Sequence, residues 1–417
     1  MRIVYLNPIG ELGGAERSLL DIFAALKALE PSWELHLIAG ADGPLLSEAI
    51  RLGVSAETLA MPEELLVLGD SAIGSERSPR KSGTLHLLRR GARAALGARR
   101  YAEIVRARLD ELKPDLIHSN GIKFHLLTRL LRRLEAPVLW HIRDFIGARK
   151  LVRHALRWAA PAAAVALTNS EAVAAETRSI LPTLPVRTVL NCIDTVRFSP
   201  GPGRGAWLDE LAQMPAAAEG TLRVGLLASY ARWKGQDLFL KAAEKVRAAA
   251  PEIPVRFYIV GGPIYKTQGS QFSIEELQTL IRRSGLSNCA GLVPFQYEPE
   301  DVYRALDIVI HASTQPEPFG RTIAEAMACG RAVIASLAGG VEELFNRDIE
   351  VLGAPPNDAA ELAWRMEMLL KNPLLRQQLE SAARRSAVER FSRERVGNQL
   401  RAIYGTLLQS QSPKKSP

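Results

Sequence analysis

The 417-residue chain has room for two globular domains of about 200 residues each, because a single core seldom grows beyond about 250 to 300 residues. Its 47% apolar and 24% charged residues exclude a disordered or fibrous protein. The longest apolar runs are far shorter than the roughly 20 residues that cross a bilayer, and the three cysteines show neither disulfide nor zinc spacing. We therefore expect a cytoplasmic protein. The net charge of +8 indicates an anionic partner.

The first half of the chain alternates strand-like apolar runs with helical patterns, which predicts a parallel sheet covered by helices. The strands are predicted over residues 3–7, 33–39, 116–119, 138–142 and 164–169. A glycine turn and a helix over residues 15–29 follow the first strand. Residues 62–83 form a long connection without periodicity. Residues 1–198 are predicted to form a Rossmann-like domain.

The alternation stops at residues 198–205, which are rich in proline and glycine, and a linker is predicted over residues 199–220. It then resumes with a second set of elements. Strands are predicted over residues 223–229, 255–261 and 308–312, and helices over residues 236–250 and 274–284. The sequence therefore predicts a second doubly wound α/β domain over residues 221–392, with a cleft between the domains. Ligands bind beyond the carboxyl ends of such strands, so functional residues are expected in the loops that follow them.

Gly13 and Gly14 lie between the first predicted strand and the first helix. Their spacing fits neither G-x-G-x-x-G nor a P-loop. Backbone amides in a glycine turn at a helix N-terminus can still approach a phosphate group. The alternative is a turn that needs glycine for its positive φ.

Arg232 and Lys234 lie where the first strand of the second domain meets the following helix. Two cations at this place can neutralise a departing diphosphate. The alternative is a pair of ordinary surface cations.

Glu317 and Glu325 are separated by seven residues, the first in a proline-flanked turn and the second in a helical run. Thr322 and Glu325 fit a capping box, which is the structural alternative for the second glutamate. That alternative leaves Glu317 unexplained. A carboxylate can accept hydrogen bonds from two vicinal hydroxyls, so the pair can hold a ribose and a hexose on either side of a diphosphate.

The chain resembles the family 4 retaining glycosyltransferases of the GT-B architecture. The matching segments cover about residues 1–400 in the family's order: Gly13-Gly-Ala-Glu-Arg17, His141-Ile-Arg-Asp144, Val189-Leu-Asn-Cys-Ile-Asp-Thr-Val-Arg-Phe198, Arg232-Trp-Lys-Gly-Gln-Asp237, Val260-Gly-Gly262, Glu317-Pro-Phe-Gly320, Glu325-Ala-Met-Ala-Cys-Gly330 and Gly339-Gly-Val-Glu-Glu-Leu344. Two departures occur. Ile142 and Arg143 separate His141 from Asp144, where the family often has His directly before Asp, and Cys192 replaces a common glycine.

The resemblance implies roles for ten residues. It assigns catalysis to His141, Arg232, Lys234 and Glu317. It assigns donor binding to Gly13, Gly14, Gly262, Phe319, Gly320 and Glu325. Arg232 and Lys234 would bind the donor diphosphate, Glu325 the ribose, and Glu317 with the 319–320 backbone the donor sugar, while His141 would reach that sugar from the first domain.

The resemblance also implies the reaction, which is transfer of a hexose from a nucleotide diphosphate sugar to an acceptor hydroxyl with retained anomeric configuration. The acceptor would be a glycan or lipid-linked molecule of polysaccharide, glycolipid or cell-envelope biosynthesis. No cofactor is expected, and the lack of any Asp-x-Asp predicts a metal-independent enzyme. The first domain would face the acceptor, residues 393–408 would form a helix returning to it, and residues 409–417 would form a flexible tail.

Residues 76–108 hold ten Arg or Lys and only two acidic residues. This segment, including Arg89, Arg90, Arg93, Arg99 and Arg100, predicts peripheral contact with the anionic inner face of a membrane. The alternative is a solvated helix face.

Two other functions are open to this sequence. One is a sugar-nucleotide epimerase of the same architecture, against which the glutamate pair and the Arg-x-Lys loop favour transfer. The other is a basic nucleic-acid-binding protein, but only 6% of residues are aromatic and no recognition motif is present. We therefore expect no nucleic-acid partner.

Overall fold

The computed structural model describes residues 1–66, 84–131, 134–263 and 269–409. Two compact units make up the chain. The first contains Met1–Cys192 and the segment that begins at Arg393, and the second contains Ile193–Ser392. Residues 67–83 of the predicted long connection and residues 410–417 of the predicted tail lie outside the described residues.

The first unit is built on a seven-stranded parallel sheet with the order β3-β2-β1-β4-β5-β6-β7. Its strands are β1 (Arg2–Asn7), β2 (Glu34–Ala39), β3 (Ser55–Thr58), β4 (Leu116–Ser119), β5 (Val138–Ile142), β6 (Val165–Thr168) and β7 (Val186–Thr188). The chain changes direction across the sheet after β3, so β1 pairs with β2 on one side and β4 on the other. Such a switch point leaves a crevice at the carboxyl ends of β1 and β4.

Helices cover both faces of this sheet. They are α1 (Gly14–Leu29), α2 (Pro44–Arg51), α3 (Glu63–Leu66), α4 (Thr84–Leu112), α5 (Ile122–Thr128), α6 (Lys150–Ala159), α7 (Glu171–Ile180) and the C-terminal α15 (Arg393–Gln409). Helices α4, α5 and α6 share one apolar core, and α1, α2 and α15 share another. No helix in the described ranges is both long and apolar enough to cross a membrane.

The C-terminal helix packs against α1. Arg393 donates to Asp21 at 2.6 Å, and a side chain at Gly397 would lie within 2.6 Å of Leu29. The apolar face of α15 places Leu400 and Tyr404 in the core of the first unit. Helix α15 therefore completes the unit that β1 begins.

The second unit has a six-stranded parallel sheet with the order β10-β9-β8-β11-β12-β13. Its strands are β8 (Leu222–Leu227), β9 (Val255–Gly261), β10 (Ala290–Pro294), β11 (Ile308–His311), β12 (Ala332–Ser336) and β13 (Leu352–Ala354). Its helices are α8 (Gly205–Leu211), α9 (Gln236–Ala249), α10 (Ile274–Arg283), α11 (Glu300–Ala305), α12 (Arg321–Ala328), α13 (Ala359–Lys371) and α14 (Pro373–Phe391). Strands β8 and β11 flank its switch point. The predicted pair of doubly wound α/β domains is confirmed.

The segment predicted as a linker, residues 199–220, contains helix α8 and belongs to the second unit. Asp209 on this helix is buried and accepts hydrogen bonds from Tyr258 at 2.5 Å and Arg223 at 3.0 Å. Arg256 lies 2.8 Å away on the same carboxylate. This buried charge, compensated by two arginines, fixes the segment to strands β8 and β9.

Candidate active site

The loop after β8 carries Arg232 and Lys234 in a single 3-10 turn, residues Arg232–Lys234. Gly235 follows in the left-handed region with φ 77°, and a Cβ there would lie 2.0 Å from the carbonyl oxygen of Ala312. The carbonyl oxygen of Trp233 accepts from the amide of Thr314 at 2.7 Å. Only glycine allows this close approach, so the loops after the neighbouring strands β8 and β11 are held together.

Lys234 and Glu317 form an ion pair at the carboxyl ends of these strands. The Lys234 Nζ donates to Glu317 Oε1 at 2.7 Å, and the side chains are 19% and 11% exposed. His311 Nε2 and Ser313 Oγ each lie 2.7 Å from Glu317 Oε2. Burial raises the pKa of Glu317, but Lys234 and His311 outweigh it and hold that pKa well below its usual range. Glu317 is therefore an ionised carboxylate with its donors in place.

The backbone around Glu317 is tied to the loop after β12. Its amide donates to the carbonyl oxygen of Ala338 at 3.2 Å, and its carbonyl oxygen accepts from the amide of Gly340 at 2.9 Å. The two segments that hold this carboxylate in place, residues 311–320 and 338–344, are thus in contact through the main chain.

Phe319 has a buried side chain, whereas Gly320 contributes backbone at the start of α12. The Phe319 side chain is buried and packs edge-on against Phe391, with ring centroids 5.8 Å apart. Gly320 is the N-cap of α12 with φ 91° and ψ 59°. The backbone of this pair, and not the phenyl ring, is the part that can meet a ligand.

Glu325 is buried on α12 with both oxygens engaged. Oε1 accepts from Arg321 at 2.7 Å, and Oε2 accepts from the Tyr303 hydroxyl at 2.8 Å. The capping-box alternative with Thr322 as N-cap is wrong, because the helix begins at Arg321 and Glu325 binds two side chains instead of a backbone amide. Burial raises the pKa of Tyr303 well above its usual range, and Glu325 adds to this effect.

Arg232 points to a different place from Lys234. Its guanidinium lies 4.3 Å from the centroid of the Phe272 ring and donates to Glu276 at 2.6 Å and to the carbonyl oxygen of Gly269 at 3.1 Å. The side chain is 42% exposed and lines a cavity of 530 Å³. Gly262 directly follows the neighbouring strand β9, and its carbonyl oxygen accepts from the amide of Tyr230 at 3.0 Å. The structure thus joins Lys234 to Glu317, whereas Arg232 and Glu325 contact other groups.

In the first unit, Gly13 is the N-cap of α1 with φ −92°, so the alternative of a positive-φ turn is wrong. Its amide donates to Glu16 Oε2 at 3.2 Å. Burial raises the pKa of this carboxyl group, while hydrogen bonds with Asn7 and the backbone oppose the shift. Apart from the local chain of α1, no heavy atom of the described residues lies within 4 Å of the place where a Cβ on Gly14 would be. Its face is therefore open at the start of the helix.

His141 is buried at the carboxyl end of β5, and its Nδ1 lies 3.1 Å from His118 Nε2 and 3.2 Å from a terminal nitrogen of Arg143. Burial, aided by Arg143 and His118, lowers its pKa well below the usual range. Asp144, two positions beyond Ile142, is exposed and lies 3.6 Å from Arg149. Among the described residues, no three His, Cys, Asp or Glu side chains converge as a metal site would require.

Two family models match the chain. Residues 12–197 match a model described as Glycosyltransferase Family 4, and residues 209–386 match Glycosyl transferases group 1. Together with the two Rossmann-like units, these matches define a two-domain protein of the glycosyltransferase class. The chain belongs to the glycosyltransferases of the family 4, group 1 type, which confirms the family resemblance.

Curated relatives include D-inositol 3-phosphate glycosyltransferases. The protein of Rhodococcus erythropolis is 33% identical over 175 residues, covering 41% of this chain and 38% of the relative. The protein of Saccharomonospora viridis is 30% identical over 223 residues, which cover 52% of this chain and 49% of the relative. The chain thus spans about half or less of the length of these relatives.

Solved structures share the fold over nearly the whole chain. The Anabaena protein HepE, in a complex with UDP, has a TM-score of 0.76 at 23% identity, covering 97% of this chain and all of that one. Sucrose-phosphate synthase from Thermosynechococcus elongatus has a TM-score of 0.74 at 18% identity, and the match covers 98% of this chain and all of the synthase chain. At these identities the likeness defines the fold, which is GT-B.

The left-handed backbone conformation of Gly320 predicts that replacing this glycine lowers the stability of the folded protein. In Gly320→Ala the new Cβ would lie 3.0 Å from Ile323 Cδ1, so contact is added to the cost of about 1 to 2 kcal/mol for a left-handed residue. The matched control is Gly285→Ala, where φ is 65° and no described residue beyond the adjoining chain lies within 4 Å of the added atom. We expect a larger drop in the urea unfolding midpoint for Gly320→Ala. Equal drops would show that the neighbours of Gly320 adjust freely.

Proposed function

We propose that the protein is a retaining glycosyltransferase that moves a hexose from a nucleotide diphosphate sugar to an acceptor hydroxyl. The observation that carries the proposal is the Lys234–Glu317 pair, which places a cation and an ionised carboxylate together where β8 and β11 end. A pyrophosphate needs the first group and sugar hydroxyls need the second. Family membership supports the same reading of the pair.

The hydrogen-bonding capacity of the two glutamates supports distinct roles. A carboxylate offers about four acceptor positions. Described residues use three at Glu317, from Lys234, His311 and Ser313, and two at Glu325, one on each oxygen. Glu325 thus keeps one position on each oxygen, which suits the vicinal hydroxyls of a ribose. Glu317 keeps one position, which suits a single hydroxyl of the hexose.

Lys234 supplies the charge that the reaction requires. The bond from the anomeric carbon to the diphosphate oxygen breaks while a bond to the acceptor oxygen forms on the same face of the sugar. The acceptor proton passes to the departing phosphate oxygen, so no protein carboxylate is needed as a nucleophile, in contrast with a retaining glycosidase. Negative charge grows on the diphosphate, and an ammonium already held in place stabilises it without reorganisation. Metal-independent transfer belongs to this proposal.

The donor can be identified by a thermal-shift screen of the full chain against UDP-, GDP-, ADP- and TDP-sugars. Since the HepE structures contain UDP and UDP-glucose, UDP-glucose is tested first. We expect one nucleotide sugar to raise the melting temperature, because a ligand that binds only the folded state stabilises it. Product analysis by NMR with glycan, lipid-linked and inositol phosphate acceptors should then show a new glycoside with retained configuration. Conversion of the donor to its epimer without transfer would favour the epimerase instead.

Lys234→Ala should lower turnover by about 100- to 1000-fold while the variant still folds, because one charge-stabilising contact in a dry site is worth about 3 to 4 kcal/mol. Glu317 retains His311 and Ser313 in this variant. The control is Lys241→Ala, which removes an exposed lysine paired with Asp237 on α9. Turnover is measured with the donor found in the screen, and circular dichroism checks the fold. Near-normal transfer by Lys234→Ala would remove Lys234 from the mechanism.

We further propose peripheral contact with an anionic membrane through the sheet face covered by α4, α5 and α6. Arg99 and Arg100 on α4 are exposed, whereas the side chains of Arg89, Arg90 and Arg93 lie outside the described residues. Helix α6 adds Leu151, 86% exposed, and Trp158, 54% exposed, with Arg129 stacked over the indole at 5.5 Å. Apolar and basic groups on one face suit the boundary between headgroups and acyl chains.

Vesicle sedimentation tests this contact. The protein should bind phosphatidylserine vesicles more tightly than phosphatidylcholine vesicles, lose binding at high salt, and bind less in Leu151→Ser and Trp158→Ser. Ile50→Ser is the matched control, since Ile50 is also exposed but lies on α2, whose buried residues belong to the other core. Binding that ignores lipid charge, salt and both substitutions would exclude the membrane contact.

A further inference from the structure

A line of buried polar side chains in the first unit leads to His141. The Tyr404 hydroxyl lies 2.7 Å from His118 Nδ1, and His118 Nε2 lies 3.1 Å from His141 Nδ1. Tyr5 touches the far end of the line, its hydroxyl 3.3 Å from that of Tyr404. These four side chains come from β1, β4, β5 and α15, and all are buried.

Arg143 determines the direction of these hydrogen bonds. A guanidinium can only donate. Its terminal nitrogen lies 3.2 Å from His141 Nδ1, so this atom is an acceptor and the proton of a neutral His141 is on Nε2. Two amide oxygens hold the guanidinium in place, Asn120 Oδ1 at 2.7 Å and Asn191 Oδ1 at 2.5 Å.

The positions of the protons on His118 and Tyr404 follow from the tautomer of His141. Since His141 Nδ1 accepts, His118 Nε2 donates to it, and His118 Nδ1 has no proton. Tyr404 therefore donates its hydroxyl proton to His118 Nδ1. Burial and the nearby Arg143 lower the pKa of both histidines well below the usual range, so both rings are neutral. One arrangement of protons makes every contact in the line a donor–acceptor pair, with the single lone pair of His141 Nδ1 shared between His118 and Arg143.

In this arrangement of protons, one N–H donor has no acceptor within the line. His141 Nε2 is buried and has no hydrogen-bond partner among the described residues. A buried donor without a partner is rare and calls for a ligand or water. An oxygen atom of a bound molecule would satisfy it, whereas a cationic group would not.

We propose that Arg143 is a positioning residue that, with His118 and Tyr404, fixes His141 as the Nε2-protonated tautomer and so presents one N–H donor to an oxygen of the bound sugar. The sugar contact rests on the proposed function, but the tautomer does not. The proposal gives a purpose to the two residues inserted between His141 and Asp144, since the second of them supplies the guanidinium. It also makes α15 a support of the site, through Tyr404.

Histidine ¹⁵N NMR of the full-length protein tests the tautomer directly. Loss of one signal in His141→Gln assigns His141 among the seven histidines. In the wild type we expect a proton on Nε2 and none on Nδ1 for both His141 and His118. We also expect both rings to stay neutral from pH 8 to pH 5, given Arg143 and the neutral His118 and His125 around His141. A proton on Nδ1 of His141, or a charged ring at pH 6, would overturn the proposal.

Variants at Arg143 distinguish an effect on the direction of the hydrogen bonds from an effect on side-chain packing. Arg143→Met removes the obligatory donor, so the line can reverse, and we expect His141 to show both tautomers. Arg143→Lys keeps a cationic donor and should restore the Nε2 tautomer. Tyr5→Phe, which removes a buried hydroxyl beyond the line, should leave the tautomer unchanged. A single Nε2 tautomer in folded Arg143→Met would show that Arg143 does not set the direction. Should Arg143→Met not fold, a proton on Nδ1 of His141 in the wild type would still overturn the proposal.

Transfer kinetics then test the link to the sugar. With the donor found in the screen, we expect Arg143→Met to lose about two- to tenfold in kcat, following the fraction of His141 that no longer has its proton on Nε2, and Arg143→Lys to recover most of it. A normal kcat in a variant with mixed tautomers would contradict the sugar contact. If no nucleotide sugar binds, yet His141 holds its proton on Nε2, the proposed reaction fails and the tautomer assignment stands.

Discussion

A buried carboxylate is stable only when positive charge and hydrogen-bond donors surround it, and Glu317 imposes this requirement on the second unit. Lys234 comes from the loop after β8, and His311 and Ser313 come from the end of β11 and the loop that follows it. Satisfying one charge therefore fixes two loops against each other. The close approach of Gly235 to Ala312 is part of the same constraint, because it lets the loop after β8, which carries Lys234, pack against the loop after β11.

The first unit meets a similar requirement with neutral groups. The hydrogen bonds of its buried His118 and His141 run in a fixed order, which Arg143 sets from one end and Tyr404 supports from the other. Two amide oxygens, those of Asn120 and Asn191, hold the guanidinium of Arg143 in place. Both units thus place preorganised polar groups at the carboxyl ends of parallel strands, one with charge and one with directed hydrogen bonds.

The sequence predicts the fold well where the physical signal is strong. The strands Leu116–Ser119, Val138–Ile142 and Val255–Gly261 have the predicted bounds, because continuous apolar runs between breakers are typical of buried parallel strands. Short strands such as β7 and β13, of three residues each, carry too little periodicity to detect. Helix α8 is hidden among prolines and glycines, and tertiary contacts of Asp209 stabilise it where local propensity is weak.

The candidate site is less predictable because its contacts join distant parts of the chain. Spacing indicates that Glu317 and Lys234 matter, but not that they pair, nor that His311, Ser313 and Tyr303 complete the two glutamate environments. A capping box and a side-chain ion pair fit the same residues around Glu325, and only the position of the helix start distinguishes them. The turn of Arg232 toward Phe272 and Glu276 likewise depends on α10, forty residues away.

The return of α15 to the first unit has a consequence for biosynthesis. The second unit is continuous in sequence, so it has every residue it needs once its last helix leaves the ribosome. The first unit is completed later, because Leu400 and Tyr404 of its core are translated after the whole of the second unit. Until then the face of α1 that packs against α15 stays uncovered, so the second unit has all of its core residues before the first unit does.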